Sequence, residues 1–354
     1  MNPIAIRPDQ AAQELVQFNQ KFAKGIQALE KLGEVDVGLC KKDAVYHEDK
    51  MTLYRYSPLV ETPHRIPVLV VYALVNRPYV ADLQPDRSLI RGLLEEGLEV
   101  YLVDWGYPDR ADRFLELDDY INSYIHHCVE EICERHGLYR INLLGICQGG
   151  TLSTCYTSIN PDRIRNLVLT VTPIDFHAGE NLFGKWAKGM DVDALVDAVG
   201  NVPGTMLNTA FASMRSVFSD GHKYMKMIDF LEDQKTLLNF LRMEKWVADS
   251  PDQAGEAFRQ FVKFFYQQNG LVKGGLKIGG KTVDPSRITM PVLNVYATKD
   301  HLVPPSSTLK LKDLIGSKDY SELSFGGGHI GLFTSGRSKK EVPPGIAAWI
   351  KERG

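Results

Sequence analysis

The sequence predicts an α/β protein: a mostly parallel sheet with helices on both faces. Three observations carry this. The runs 66–73, 98–105, 141–146, 167–172 and 290–297 are apolar along nearly their whole length, as strands buried on both faces are. Helix-compatible stretches alternate with them, the rhythm of parallel strands joined by crossover helices. One run, 141–146, ends in Gly145-Ile146-Cys147-Gln148-Gly149 and passes straight into a helix-compatible segment, 151–158, which marks a sharp strand-to-helix turn.

In chain order, residues 9–32 carry apolar side chains at Leu15, Phe18, Phe22, Ile26 and Leu29. Spacings of three and four predict an amphipathic helix. Residues 44–58 alternate around a polar turn and predict an antiparallel hairpin. The sheet pattern then begins with the strand 66–73, the loop 74–78, a helix over 88–96 and a strand over 98–105. A long helix over 117–136 leads into the strand 141–146, and 167–172 ends at Pro173-Ile174-Asp175. From about 176 to 283 the rhythm breaks into helix-like segments (191–199, 224–229, 234–241, 253–266) with little strand signal, closing in the glycine-rich 270–280. This predicts a helical cap, 176–283, inserted into a core formed by 1–175 and 284–354. The sheet resumes at 290–297, a short strand spans 321–325, and a helix spans 346–353.

With 354 residues the chain has enough length for a large core. Hydrophobic content of 44% and charged content of 24% are ordinary for a globular protein. A net charge of −3 argues against a nucleic-acid partner. The five cysteines, Cys40, Cys128, Cys133, Cys147 and Cys155, are odd in number and lack paired metal-ligand spacing; reduced thiols in a cytoplasm are expected. Residues 1–10 lack a basic stretch followed by an apolar one, so no secretory signal is expected. The longest apolar run, 66–75, is about half of what a bilayer requires. A soluble protein without a transmembrane segment is expected, one that can still work at a surface.

The turn around Cys147 follows the G-x-S-x-G nucleophile elbow with cysteine in place of serine. Bulkier residues at Gly145 and Gly149 would collide with the strained central residue. The turn sets the sulfur at a helix N-terminus, whose dipole favours negative charge. Asp300 follows the strand 290–297, and His329 follows 321–325 behind Gly326-Gly327-Gly328. Nucleophile, acid, base is the chain order of the α/β-hydrolase fold. The plainer readings are a turn aspartate and an incidental loop histidine. His301, beside Asp300, is assigned a structural or supporting role, and Asp175, like Asp104 at a strand end, is the main rival acid. His329 would take the thiol proton, Cys147 would attack a carbonyl and Asp300 would orient the ring. The oxyanion would be held by the backbone N–H groups of Gln148 and of Val75 or Asn76. A cysteine acyl-enzyme is itself a thioester, nearly isoenergetic with an acyl-CoA, so it retains driving force for transfer to an alcohol. A thioesterase or a dienelactone-hydrolase-like enzyme fits the motif as well.

Longer phrases carry a resemblance: Tyr72-Ala73-Leu74-Val75-Asn76-Arg77-Pro78-Tyr79, Val103-Asp104-Trp105-Gly106-Tyr107-Pro108, Leu117-Asp118-Asp119-Tyr120-Ile121, residues 142–150, Phe240-Leu241-Arg242-Met243-Glu244-Lys245-Trp246, Asp300-His301-Leu302-Val303-Pro304-Pro305 and Gly326-Gly327-Gly328-His329-Ile330-Gly331. From about residue 40 onward the chain resembles the polyhydroxyalkanoate synthases, and its length resembles the catalytic subunit of the two-subunit, class III enzymes. The resemblance implies polymerisation of 3-hydroxyacyl-CoA, chiefly 3-hydroxybutyryl-CoA, into polyester with release of CoA. It assigns catalysis to Cys147, Asp300 and His329, with Asp300 often activating the 3-hydroxyl of the incoming unit or chain; Asp300→Asn would then impair elongation more than first acylation. It also implies a second, non-catalytic subunit, action at the surface of cytoplasmic granules, and a cap that opens for substrate and polymer. Self-association into a homo-oligomer is expected, and no metal or redox cofactor is implied. The competing readings are a cap-bearing ester or thioester hydrolase and a catalytically silent granule-coating protein.

Overall fold

A computed structural model describes residues 35–179, 182–213 and 233–354. The helices expected over 9–32 and 224–229 lie outside the described residues. Eight strands form one sheet: β1 (Lys42–Glu48), β2 (Met51–Tyr56), β3 (Val68–Val71), β4 (Val100–Asp104), β5 (Ile141–Ile146), β6 (Ile164–Thr170), β9 (Val292–Ala297) and β10 (Tyr320–Phe325). Two-residue strands β7 (Lys277–Ile278) and β8 (Lys281–Thr282) make a separate small hairpin. The sheet order is β1-β2-β4-β3-β5-β6-β9-β10. β1 pairs antiparallel with β2 and β2 with β4, and every other neighbour is parallel. This is the α/β-hydrolase arrangement.

Both faces of the sheet are covered, which is why its strands read as continuous apolar runs. Leu69, Val71, Leu143, Leu167 and Leu169 point into one core, while Val68, Val70, Leu144, Ile146 and Val168 point into the other. The first core is filled by α2 (His126–His136) with the wide turn Asp119–Ile125 that precedes it, and by α3 (Gln148–Ile159). The second is filled by α1 (Leu89–Glu95), capped by the Ser88 side chain on Arg91 N–H, and by the C-terminal helix Gly336–Lys351. Helix α3 is buried from Gly149 to Ile159. Its hydroxyls at Ser153, Thr154, Thr157 and Ser158 each donate to the carbonyl four residues back, at 2.7–2.8 Å. Polar side chains are thereby satisfied inside the core without outside partners.

Among the described residues, the chain between β6 and β9 is mostly helical: α4 (Leu182–Gly189), α5 (Val192–Val199), α6 (Gly204–Ser213), α7 (Gln234–Ala248) and α8 (Gly255–Phe261). A wide π turn, Val262–Gln267, continues α8. Helices α4 and α6 and the β7–β8 hairpin are additional to the expected elements, and α7 runs seven residues further. The last helix begins ten residues before the expected 346. Pro343 and Pro344 lie inside it, and prolines at such positions ordinarily signal a helix boundary. Here Pro343 packs against Gly92 of α1, where a Cβ would come within 2.6 Å of its ring.

That close approach is testable. Gly92→Ala should destabilise the protein by about 1–3 kcal/mol through overpacking, read as a lower urea midpoint with an unchanged slope. An unchanged midpoint would contradict the packing of these two helices.

Candidate active site

Cys147 stands between β5 and α3 with φ 53° and ψ −125°, a backbone conformation that ordinarily costs about 1–3 kcal/mol. Its N–H donates to Thr170 O at 2.9 Å and its carbonyl accepts from Gly150 N–H at 2.9 Å. The neighbouring glycines are explained by contact. A Cβ on Gly145 would meet Gly150 Cα, one on Gly149 the Val71 carbonyl oxygen and Tyr72 backbone, and one on Gly150 the Thr172 side chain. The helix begins at Gln148, so Cys147 is its N-cap residue. The sulfur-bearing side chain is half-buried.

The loops after β9 and β10 are tied together: Thr298 N–H donates to Phe325 O at 2.9 Å and Lys299 N–H to Gly327 O at 2.8 Å. They bring Asp300 and His329 into contact. His329 Nδ1–H donates to Asp300 Oδ2 at 2.7 Å, and Asp300 Oδ1 accepts from the N–H groups of Leu302 and Val303, each at 2.9 Å. The Asp300 side chain is 0% exposed and that of His329 8%. The ring also interacts with the Cys147 side chain, and with Nδ1 taken by Asp300 its Nε2 is the atom free to exchange a proton with the sulfur. Burial of the ring opposes protonation. The charge of Cys147, the hydrogen bonds to Asp300 and Cys147 and the Asp300 charge outweigh it, pushing the His329 pKa up to about 10.

The rivals sit elsewhere. Asp175 Oδ1 accepts from Asn269 Nδ2 at 2.8 Å and from His177 N–H at 2.9 Å. Asp104 Oδ2 pairs with Arg77 at 2.7 Å. His301 is exposed.

The loop after β3 passes beside Gln148. Leu74 N–H donates to Gln148 Oε1 at 2.9 Å, and Leu74 O accepts from Gln253 Nε2 at 2.9 Å. Val75 follows, and then Asn76 at φ 60°, whose Nδ2 donates to Ser250 Oγ at 2.6 Å. Trp246 Nε1 donates to Arg77 O at 2.8 Å. A small cleft of about 10 Å³ lies here, lined by Leu74, Trp105, Gln148, Gln253 and Phe258 among others, and not by Cys147 or His329. Two features of the site left no mark in the sequence pattern. Val171, at the end of β6, has φ 44°, rare for a β-branched residue. Gln253 lies within a stretch expected to be helical, yet it precedes α8 and pairs with Val202 through two backbone hydrogen bonds of 2.9 Å. Among the described residues, no group of three or more His, Cys, Asp or Glu could hold a metal, and no helix is long and apolar enough to cross a membrane.

A buried carboxylate, a raised imidazole and a thiol on a strained turn can perform nucleophilic acyl transfer. Residues 66–335 match the α/β hydrolase fold family, and residues 17–93 match the family described as poly-beta-hydroxybutyrate polymerase (PhaC) N-terminus. The chain is 52% identical, over 100% of both chains, to the poly(3-hydroxyalkanoate) polymerase subunit PhaC of Thiocystis violacea. It is equally 52% identical, over 100% of both, to the protein of that name from Allochromatium vinosum. Among solved structures, a monoacylglycerol lipase from Paleococcus ferrophilus superposes with a TM-score of 0.52 at 18% identity, covering 85% of this chain and 99% of that one; this likeness concerns the fold.

The titration of His329 tests the site. By NMR its imidazole should stay protonated through neutral pH and titrate near 10. Cys147→Ala and Asp300→Asn should each lower that value, because each removes a negative group that favours the imidazolium. An unmoved pKa in both variants would contradict the arrangement.

Proposed function

The chain belongs to the poly(3-hydroxyalkanoate) polymerase family, and we propose that it draws 3-hydroxyacyl units, chiefly 3-hydroxybutyryl, from their CoA thioesters through an acyl–Cys147 intermediate. The polymerase is an acyltransferase. The observation that carries the finer reading is the pair His329–Asp300, hydrogen-bonded at 2.7 Å, with its ring interacting with Cys147 on a nucleophile elbow.

The proton of the Cys147 thiol already resides on His329, and the sulfur attacks the thioester carbonyl carbon. The oxyanion is held by the N–H groups of Gln148 and Val75. Collapse breaks the bond to CoA, whose thiolate takes the proton from His329. A 3-hydroxyl, from a second unit or from the growing chain, then gives its proton to His329 and attacks the acyl–Cys147 carbonyl. The new ester forms, and Cys147 leaves as thiolate beside the protonated ring. Cysteine suits this sequence because the first step exchanges one thioester for another, while the second, from thioester to oxoester, runs downhill.

Asp300 orients His329. Its side chain is without solvent exposure and both its oxygens are engaged, which supports orientation over direct contact with a substrate hydroxyl. Residues 176–283 act as a cap. The bonds from Gln253, Ser250 and Trp246 to the loop after β3 lay this segment beside the elbow, which supports a cap that moves to admit an acyl-CoA. The names of the relatives, as polymerase subunits, support a second, non-catalytic subunit, and the polymeric product supports work at a polyester surface in the cytoplasm. Hydrolysis by the same three residues is the alternative. Incubation with 3-hydroxybutyryl-CoA, with and without a partner subunit, separates the two: polyester supports transfer, and free 3-hydroxybutyrate as main product overturns it.

Cys147→Ala should reduce CoA release by roughly 10⁴-fold or more; normal turnover would overturn the covalent mechanism. Asp300→Asn should impair first acylation and elongation alike, each by up to roughly 10⁴-fold. Rapid-quench measurement of both steps checks this, and loss of elongation with intact acylation would instead make Asp300 the group that activates the hydroxyl.

A further inference from the structure

The peptide of Leu74 is gripped from two sides. Gln148, the first residue of α3, accepts its N–H, and Gln253, from the chain between β6 and β9, donates to its carbonyl. Both bonds are 2.9 Å long, and Gln253 is 4% exposed. The next N–H along is that of Val75. Gln253 is itself anchored: its backbone pairs with Val202, and its Nε2 also donates to Pro251 O at 3.2 Å. Two further struts reach the same loop from the same segment, Ser250 to Asn76 and Trp246 to Arg77.

We infer that Gln253 is a positioning residue: its side chain holds the loop after β3 so that the Val75 N–H faces the acyl carbonyl on Cys147, and the oxyanion site is complete only when the helical segment is seated. This rests on the reading of Cys147 as nucleophile and Val75 as oxyanion donor. An amide group fits the task because it reaches a carbonyl oxygen as a donor without bringing charge to a place where negative charge develops. The consequence is a coupling: displacement of the segment for substrate entry releases Leu74 O and loosens the donor, so the thioester is activated only after the segment closes again.

Gln253→Met keeps the length and bulk of the side chain and removes the donor. The test compares two reactions of the full-length protein. Acylation of Cys147 by 3-hydroxybutyryl-CoA needs an oxyanion site, whereas alkylation of Cys147 by iodoacetamide forms no oxyanion. Misplacing one donor should slow acylation by about 10- to 100-fold and leave the KM within about twofold, while the alkylation rate stays at the wild-type value. Unchanged acylation, or a parallel fall in both reactions, would overturn the proposal. If Gln253→Met fails to fold, Gln148→Met removes the opposite grip on Leu74 and is read in the same way. If wild-type Cys147 alkylates but never carries the acyl group, the nucleophile assignment itself fails and this proposal falls with it. Acylation of Cys147 that is indifferent to both variants overturns this proposal alone.

Discussion

The site depends on how closely backbone can approach backbone around Cys147. Gly145, Gly149 and Gly150 occupy places where a side chain would overlap Gly150, the end of β3 and Thr172 respectively. With those three places empty of side chains, β5 turns directly into α3, and Cys147 is forced to a positive φ. The strain has to be held by something rigid. It is held on one side by β3 and β6, both hydrogen-bonded to β5, and on the other by a helix buried over almost its whole length. The orphan N–H groups of that helix and the positive end of its dipole then lie beside Cys147.

The other parts of the site arrive by the same logic, from C-terminal ends of parallel strands, where open α/β sheets gather their ligands. β9 delivers Asp300, β10 delivers His329, and β3 delivers the loop that passes Gln148. The adjacent strands β9 and β10 are in register from Tyr320 and Val292 onward, so the two loops leave the sheet side by side and their backbones can pair. This explains why 29 residues of intervening chain do not separate Asp300 from His329. The polarity is graded as well: Asp300 is sealed from solvent, His329 is nearly so, and Cys147 is half-buried.

Much of this was legible in the sequence, because it rests on local or periodic features. The strands announce themselves through unbroken apolar runs, which follow from cores on both faces. The elbow shows in its glycines, since steric exclusion is written at single positions. The order Cys147, Asp300, His329 is a property of the chain itself. Features decided by distant packing were hidden. The helix Gly336–Lys351 carries two prolines that argue against it locally, and only the contact with Gly92 accounts for one of them. Val171 is an ordinary strand residue by type, and nothing in its neighbours foretells a positive φ. Gln253 acts on Leu74 across 179 residues of chain, a pairing that no periodicity encodes. The seven-residue extension of α7 and the small β7–β8 hairpin likewise depend on what they pack against.

Cysteine in place of serine ties the geometry to the chemistry. On a turn of this kind either nucleophile could attack a carbonyl, but only a thioester intermediate keeps the energy of an acyl-CoA for making an ester. The central claim is thus that the acyl group passes through the sulfur of Cys147. Rapid quenching after mixing with 3-hydroxybutyryl-CoA, followed by peptide mass spectrometry, tests it most directly. The account predicts the mass of 3-hydroxybutyryl units on the peptide containing Cys147, appearing no later than CoA. Acyl groups on another residue, or polymer formed while Cys147 stays unmodified throughout, would contradict it.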